Sequence, residues 1–192
     1  MQARIGLAVC RHLLPEARAA CRLHGPGGIA LLPVEPRCDR PWPDWPGLLT
    51  SVQSPPGRCD DLVVVGAGCL PAGSPPCGTA RVRALRSSTC FALLTDEASV
   101  DVWVSRGCYL VTPGWLRTWR RAVASWGYDM ATARAHFCEF ARTVLLLDTG
   151  TDPAAPAHLR NFARFLALDA QVQPVTLDAF SDRLSRAVQC PR

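Results

Sequence analysis

Leu62-Val63-Val64-Val65-Gly66-Ala67-Gly68-Cys69 is the segment on which the fold turns. A continuous apolar run with no polar alternation is the pattern of a strand buried on both faces, as in parallel sheets, and the glycine- and proline-rich turn of residues 66–73 follows it directly. Parallel strands need crossover helices, so the neighbouring segments are expected to alternate between the two.

Upstream, Ile5–Cys10 reads as a strand. The stretch from Leu13 to His24 reads as a helix, with Pro15 near its start and Gly25 just beyond its end. Ile29–Val34 is predicted as a second strand. The segment from Pro36 to Pro46 is too dense in proline for a helix or central strand and is expected to be an irregular loop carrying Cys38.

Downstream, Arg81–Leu85 reads as a strand, residues 90–105 as mainly helical and Tyr109–Val111 as a short strand. A long helix with Trp115, Trp119 and Trp126 follows. Then come a helix over Asp129–Ala141, a strand over Thr143–Leu147, a helix over Pro153–Leu168, a strand over Val172–Val175 and a helix over Asp178–Val188. The expectation is a single α/β domain over residues 1–192, with a mostly parallel sheet covered by helices on both faces in a Rossmann-like, three-layer arrangement. A division into lobes 1–106 and 107–192 remains open.

Composition narrows the chemistry. The 192 residues are 48% hydrophobic and 19% charged, enough for one sizeable core. All 21 cationic side chains are arginine, which excludes a Schiff base or a phosphate-binding lysine. The net charge of +5 is scattered rather than massed, so neither a nucleic-acid surface nor a membrane surface is expected. No apolar stretch approaches the roughly 20 residues that span a bilayer, and Ile5–Cys10 is too short for a secretory h-region. A cytoplasmic location, with the ten cysteines reduced, follows as the expectation.

In open parallel sheets ligands bind beyond the carboxyl ends of the strands. Cys10 ends the first predicted strand, Cys69 lies in the turn after Val65, and Cys90 opens a helix soon after the Arg81–Leu85 strand. A helix N-terminus favours the thiolate that binds metals. These three are the candidate metal ligands, for zinc, copper(I) or an iron–sulfur cluster, with a fourth position open. Thr112, Asp148 and Thr149, at the ends of later strands, are the candidate ligand-binding groups facing that position.

Cys38, Cys59 and Cys77 are reserve fourth ligands. Cys21, Cys108, Cys138 and Cys190 read as core residues, and His12 and His136 as isolated histidines more often structural than catalytic. No C-x2-C pair is present, and each candidate cysteine has the alternative of being a small apolar side chain. Gly66-x-Gly68 lacks the third glycine of a dinucleotide fingerprint. Asp148-Thr149-Gly150 offers a phosphate or polar-ligand site, but Asp and Thr at the end of a strand more often cap the following helix, and capping is the favoured reading of the two. Trp115 and Trp119, with Arg117, Arg120 and Arg121, suit core packing with outward arginines better than a stacking surface.

Ile5–Cys10, Val63–Cys69, Ser88-Thr89-Cys90-Phe91-Ala92-Leu93-Leu94, residues 107–116 and Val144–Gly150 together resemble the family called domain of unknown function 1638 (DUF1638). The resemblance implies an α/β fold with one cysteine ending the first strand, one in a glycine-rich turn and one before an aromatic–aliphatic run. These fall on Cys10, Cys69 and Cys90.

It also implies stand-alone proteins or input modules ahead of signalling regions, hence a signalling partner, and relatives in organisms with corrinoid methyl-transfer chemistry. The chain departs from the pattern where Gly68-Cys69-Leu70-Pro71 replaces a Cys-Gly turn, and where Ser88-Thr89 stands before the third cysteine in place of a His or Gln. Three readings follow: a zinc or iron–sulfur module in a sensory or accessory role, an enzyme performing thiol or methyl transfer in the same crevice, and a metal-free small-molecule binder.

Overall fold

The computed structural model describes residues 5–23, 28–52, 59, 61–76 and 81–189. In chain order the elements are β1 (Ile5–Cys10), α1 (Leu14–Leu23), β2 (Ile29–Val34), α2 (Trp45–Ser51), β3 (Asp61–Gly66), β4 (Arg81–Arg86), α3 (Cys90–Leu94) and α4 (Glu97–Ser105). There follow β5 (Cys108–Val111), α5 (Pro113–Leu116), α6 (Trp119–Ser125), α7 (Met130–Phe140), β6 (Thr143–Asp148), α8 (Ala155–Leu166), β7 (Asp169–Pro174) and α9 (Asp178–Gln189). The α/β class with parallel strands stands, but the strands divide into two sheets, β2-β1-β3-β4 and β5-β6-β7. Every pairing in both is parallel.

Two compact units result: Met1–Leu94 with Leu177–Arg192, and Thr95–Thr176. The dividing line lies ahead of residue 106, and α9 returns to the first unit, where it packs on α1, α3 and β4.

In the first unit, Leu7, Ala8 and Val9 of β1 and Val63, Val64 and Val65 of β3 are all buried, as a strand covered on both faces requires. Ala8, Leu32, Val34 and Val64 share one face with Trp45 and Leu48 of α2 and with Val52, its C-cap. α1 and α9 pack on each other and on the strands, forming the remaining layer. This gives helix–sheet–helix layering.

The second unit is built around aromatic rings. Tyr109 and Val111 stand in register with Val144 and Leu146, and that face packs under α8. The buried α8 residues Ala155, Leu159, Phe162, Ala163 and Leu166 recur at helical spacing. Phe162, fully buried, meets Trp115 at 5.0 Å and Trp119 at 5.1 Å between ring centroids. Aromatic pairs in such edge-on or tilted geometry stabilise beyond their area alone, by about 0.5–1.5 kcal/mol each.

Two predicted segments are corrected. The proline-rich loop ends at Asp44, whose side chain caps the amide of Gly47 at 2.7 Å, and Pro46 sits in the first turn of α2, where it has no amide to lose. The long tryptophan helix is two short ones: α5 ends at Leu116 and α6 begins at Trp119, with Trp126 as its C-cap. Thr118 interrupts the helix with ψ of 8° and gives its hydroxyl to Trp115 O at 3.2 Å.

Candidate functional site

In the first sheet, the order β2-β1-β3-β4 places the topological switch between β1 and β3, from which the chain winds outward in both directions. A crevice opens at such a point beyond the carboxyl ends, where diverging loops leave the sheet. Cys10 terminates β1 and Cys69 lies in the turn after β3, so they flank the switch. Cys38 follows β2, and Cys90 follows β4 as the first residue of α3. Each of the four strands thus delivers one cysteine from its carboxyl end.

Local hydrogen bonds hold these loops. Cys10 O accepts from Leu13 N at 2.9 Å, and Arg11 N binds Val34 O at 2.9 Å, fixing the exit of β1 against β2. The turn after β3 closes through Leu70 N to Ala67 O at 3.0 Å, and Leu70 folds back so far that a Cβ on Gly66 would stand 2.7 Å from its side chain. Any side chain at Gly66 would force Leu70 to shift. Trp42 N donates to Cys69 O at 3.0 Å, tying the loop after β2 to the loop after β3. Arg86 donates to Pro71 O, and Arg183 of α9 donates to Ala92 O of α3.

The sulfurs sense one another. Burial pushes the Cys10 thiol up to about 12, and Cys38 and Cys69 add repulsion; the backbone amides of His12 and Leu13 oppose the rise. Cys38 rises to about 11, mainly by burial and then through Cys69 and Asp39. Cys90 is raised furthest, by burial and then by Cys69, Cys10 and Cys38. All three are neutral thiols near pH 7. The expected lowering of Cys90 by a helix N-terminus is overturned, because α3 has 5 residues and a correspondingly small dipole, while desolvation is large.

His12 belongs to the same cluster, with Nδ1 3.9 Å from the Cys38 sulfur. Burial lowers its pKa to about 4 against the opposing pull of Glu35, so its imidazole is neutral and able to act as a soft ligand. His12 stands two residues beyond the end of β1, at the same sheet edge as Cys10. Its placement there was the available signal.

The donor set suits a soft cation in chemistry, with thiols and a neutral imidazole. In spacing it does not form a closed site, since among the described residues no group of three His, Cys, Asp or Glu side chains stands in ligating range.

Cys59 precedes β3, and its sulfur lies 3.3 Å from the Cβ position of Gly6 near the start of β1, so it sits at the amino end of the sheet and is corrected out of the ligand reserve. Cys77 and Cys190 lie outside the described residues. Cys138 is exposed and Cys21 and Cys108 are half-buried, correcting their reading as core. His136 packs among Tyr128, Phe137 and Phe140.

Thr112, Asp148 and Thr149 belong to the second unit. Thr112 is buried and accepts from Trp115 N at 3.3 Å, capping α5. Asp148 accepts from Gly150 N at 3.0 Å, and Thr149 Oγ1 lies 3.0 Å from Thr151 Oγ1, so both belong to the turn after β6 and neither caps α8. Nearby, Asp152 accepts from Arg117 Nε at 2.7 Å and from Ala154 N at 3.0 Å, and its carboxyl is held below the usual range, first by the Arg117 bond.

Among the described residues no helix is long and apolar enough to cross a membrane. No curated protein and no solved structure matches the chain. A family model described as "Protein of unknown function (DUF1638)" matches residues 50–184, a span that contains Cys69, Cys90 and the whole second unit and begins after Cys10, His12 and Cys38. The chain therefore belongs to the DUF1638 family.

Proposed function

We propose that the first unit is a soft-metal-binding module, for zinc or an iron–sulfur centre, with Cys10, Cys69 and Cys90 as ligands and a sensory or accessory role. The observation that carries this reading is that each of four parallel strands supplies one cysteine to the switch-point edge, where Cys69 adds to the rise of the thiols at Cys10, Cys38 and Cys90. A cation that takes the place of the thiol protons offsets the repulsion among the thiolates that their loss creates. Cys38 and His12 are the nearest candidates for the remaining position. Ligation requires the side chains to close inward from their present spacing.

That spacing favours a second reading, a metal-free small-molecule site in the same crevice, lined by polarisable thiols and a neutral imidazole. An enzyme using one of these cysteines as a nucleophile at neutral pH is less well supported, because the thiols at Cys10, Cys38 and Cys90 are raised rather than lowered.

Metal analysis of anaerobically purified protein, beside Cys10→Ala, Cys69→Ala and Cys90→Ala, tests the proposal. Near-stoichiometric zinc or iron, lost in each variant, is expected. Folded, metal-free protein whose stability is indifferent to all three changes would sink the thiolate site.

A further inference from the structure

A concave surface lies wholly within the second unit, among α6, α7 and α8, as a groove of about 610 Å³. That volume suits a small organic molecule. Its wall is apolar and aromatic: Trp119 and Val123 of α6 are buried, and Phe165 and Tyr128 complete it. Its rim is cationic. Arg120 stacks on the Trp119 ring with the guanidinium carbon 4.4 Å from the centroid. Arg134 is held in place by donating from Nε to Phe165 O at 2.9 Å and from Nη2 to Arg164 O at 3.3 Å. Arg164 stands beside it on α8.

None of these three arginines is ion-paired among the described residues. The one carboxylate lining the groove, Asp129, is engaged at the amide of Thr132 at 2.7 Å as the N-cap of α7. The C-terminus of α8 offsets part of the positive charge at Arg134, and the N-terminus of α7 adds to it. A net positive field over aromatic walls remains.

We infer that the groove bounded by Trp119, Tyr128 and Phe165 and rimmed by Arg120, Arg134 and Arg164 binds a planar aromatic molecule carrying a carboxylate or phosphate. The ring lies against the aromatic wall, where Arg120 extends the stack, and the anion meets Arg134 and Arg164. Asn161, also on the groove, offers an amide to either end. This binding does not depend on the thiol crevice of the first unit.

Calorimetric titration of the full chain at low salt tests it with four probes: 2-naphthoate, 2-naphthyl phosphate, neutral 2-naphthalenemethanol and cationic 2-naphthylmethylammonium. Both anions are expected to bind one saturable site at least tenfold more tightly than the neutral or cationic probe. The double variant Arg120→Glu/Arg164→Glu changes two exposed side chains, so an unchanged circular dichroism spectrum is expected alongside at least a tenfold loss for the anions. Cys10→Ala should leave these affinities unaltered. Equal affinity for charged and neutral probes, an unchanged 2-naphthoate affinity in the double variant, or no saturable binding of 2-naphthoate would each overturn the inference. Comparing the two anions separates a carboxylate ligand from a phosphate one.

Discussion

The two units follow the same parallel strand–helix grammar and use the carboxyl ends of their strands in opposite ways. In the second unit the polar residues at those ends are absorbed locally: Thr112 caps α5, Asp148 closes its own turn and Asp152 receives Arg117. In the first unit the same positions carry Cys10, Cys38, Cys69 and Cys90, which the sheet order brings to one edge, with the amides of His12 and Leu13 facing the Cys10 sulfur. A strand end with oxygen side chains satisfies nearby amides and becomes scaffold. One with sulfur, a poor hydrogen-bond partner, leaves its groups available for a ligand.

The largest effect that would sharpen this contrast is expected in the second unit. Phe162→Ala removes a fully buried ring that contacts Tyr109, Trp115, Trp119 and Phe137, and should cost about 3–5 kcal/mol in urea unfolding followed by tryptophan fluorescence. A loss below about 1 kcal/mol would mean that the aromatic cluster is not the core of that unit.

Next in size is the pH response of the first unit. Cys10 has a folded pKa of about 12 against an ordinary 9.0, so its contribution is complete below 9 and is lost as pH rises toward 12, at about 1.4 kcal/mol per pH unit. On the acid side His12, lowered to about 4 from 6.5, contributes stability present above 6.5 and lost as pH falls through that window. Chemical denaturation across pH should therefore show a plateau between about 6.5 and 9 for the first unit. In the second unit, the lowered Asp152 gives stability that disappears only under more acid conditions, as pH falls below 3.8. Identical pH profiles for the two units, read by site-resolved hydrogen exchange, would break the comparison.

The smallest effect concerns Trp119, whose buried indole N–H meets no hydrogen-bond acceptor among the described residues. Trp119→Phe removes an unsatisfied donor and some ring area together, so the terms oppose and the net change in unfolding free energy should stay within about 1 kcal/mol. A much larger loss would show that the indole makes an essential polar contact.

The strands were legible because their signal is local. β1 and β2 coincide with Ile5–Cys10 and Ile29–Val34, and the run at 62–65 is the heart of β3. What periodicity could not show was the partition into two sheets, since which strand pairs with which is decided by crossovers and by the return of α9. α2 was hidden by proline density, although Asp44 and Pro46 are the cap and first-turn residues of a helix start.

The strand-end rule placed Cys10, Cys69 and Cys90 at one sheet edge because it needs only strand boundaries. It undervalued Cys38 and His12, whose proximity depends on how the loop after β2 folds. The direction of the Cys90 shift was unreadable because it reflects burial among neighbouring thiols, a property of tertiary packing.

The most direct test of the central claim is an anaerobic titration with cobalt(II) as a spectroscopic stand-in for zinc, with released protons counted in weakly buffered solution at pH 7. Because the Cys10, Cys38 and Cys90 thiols are protonated there, a thiolate site predicts a charge-transfer absorption that saturates at one equivalent, release of about one proton for each such cysteine that becomes a ligand, and tighter binding as pH rises. Cobalt that binds without that absorption and without proton release, or does not bind at all, would contradict the account.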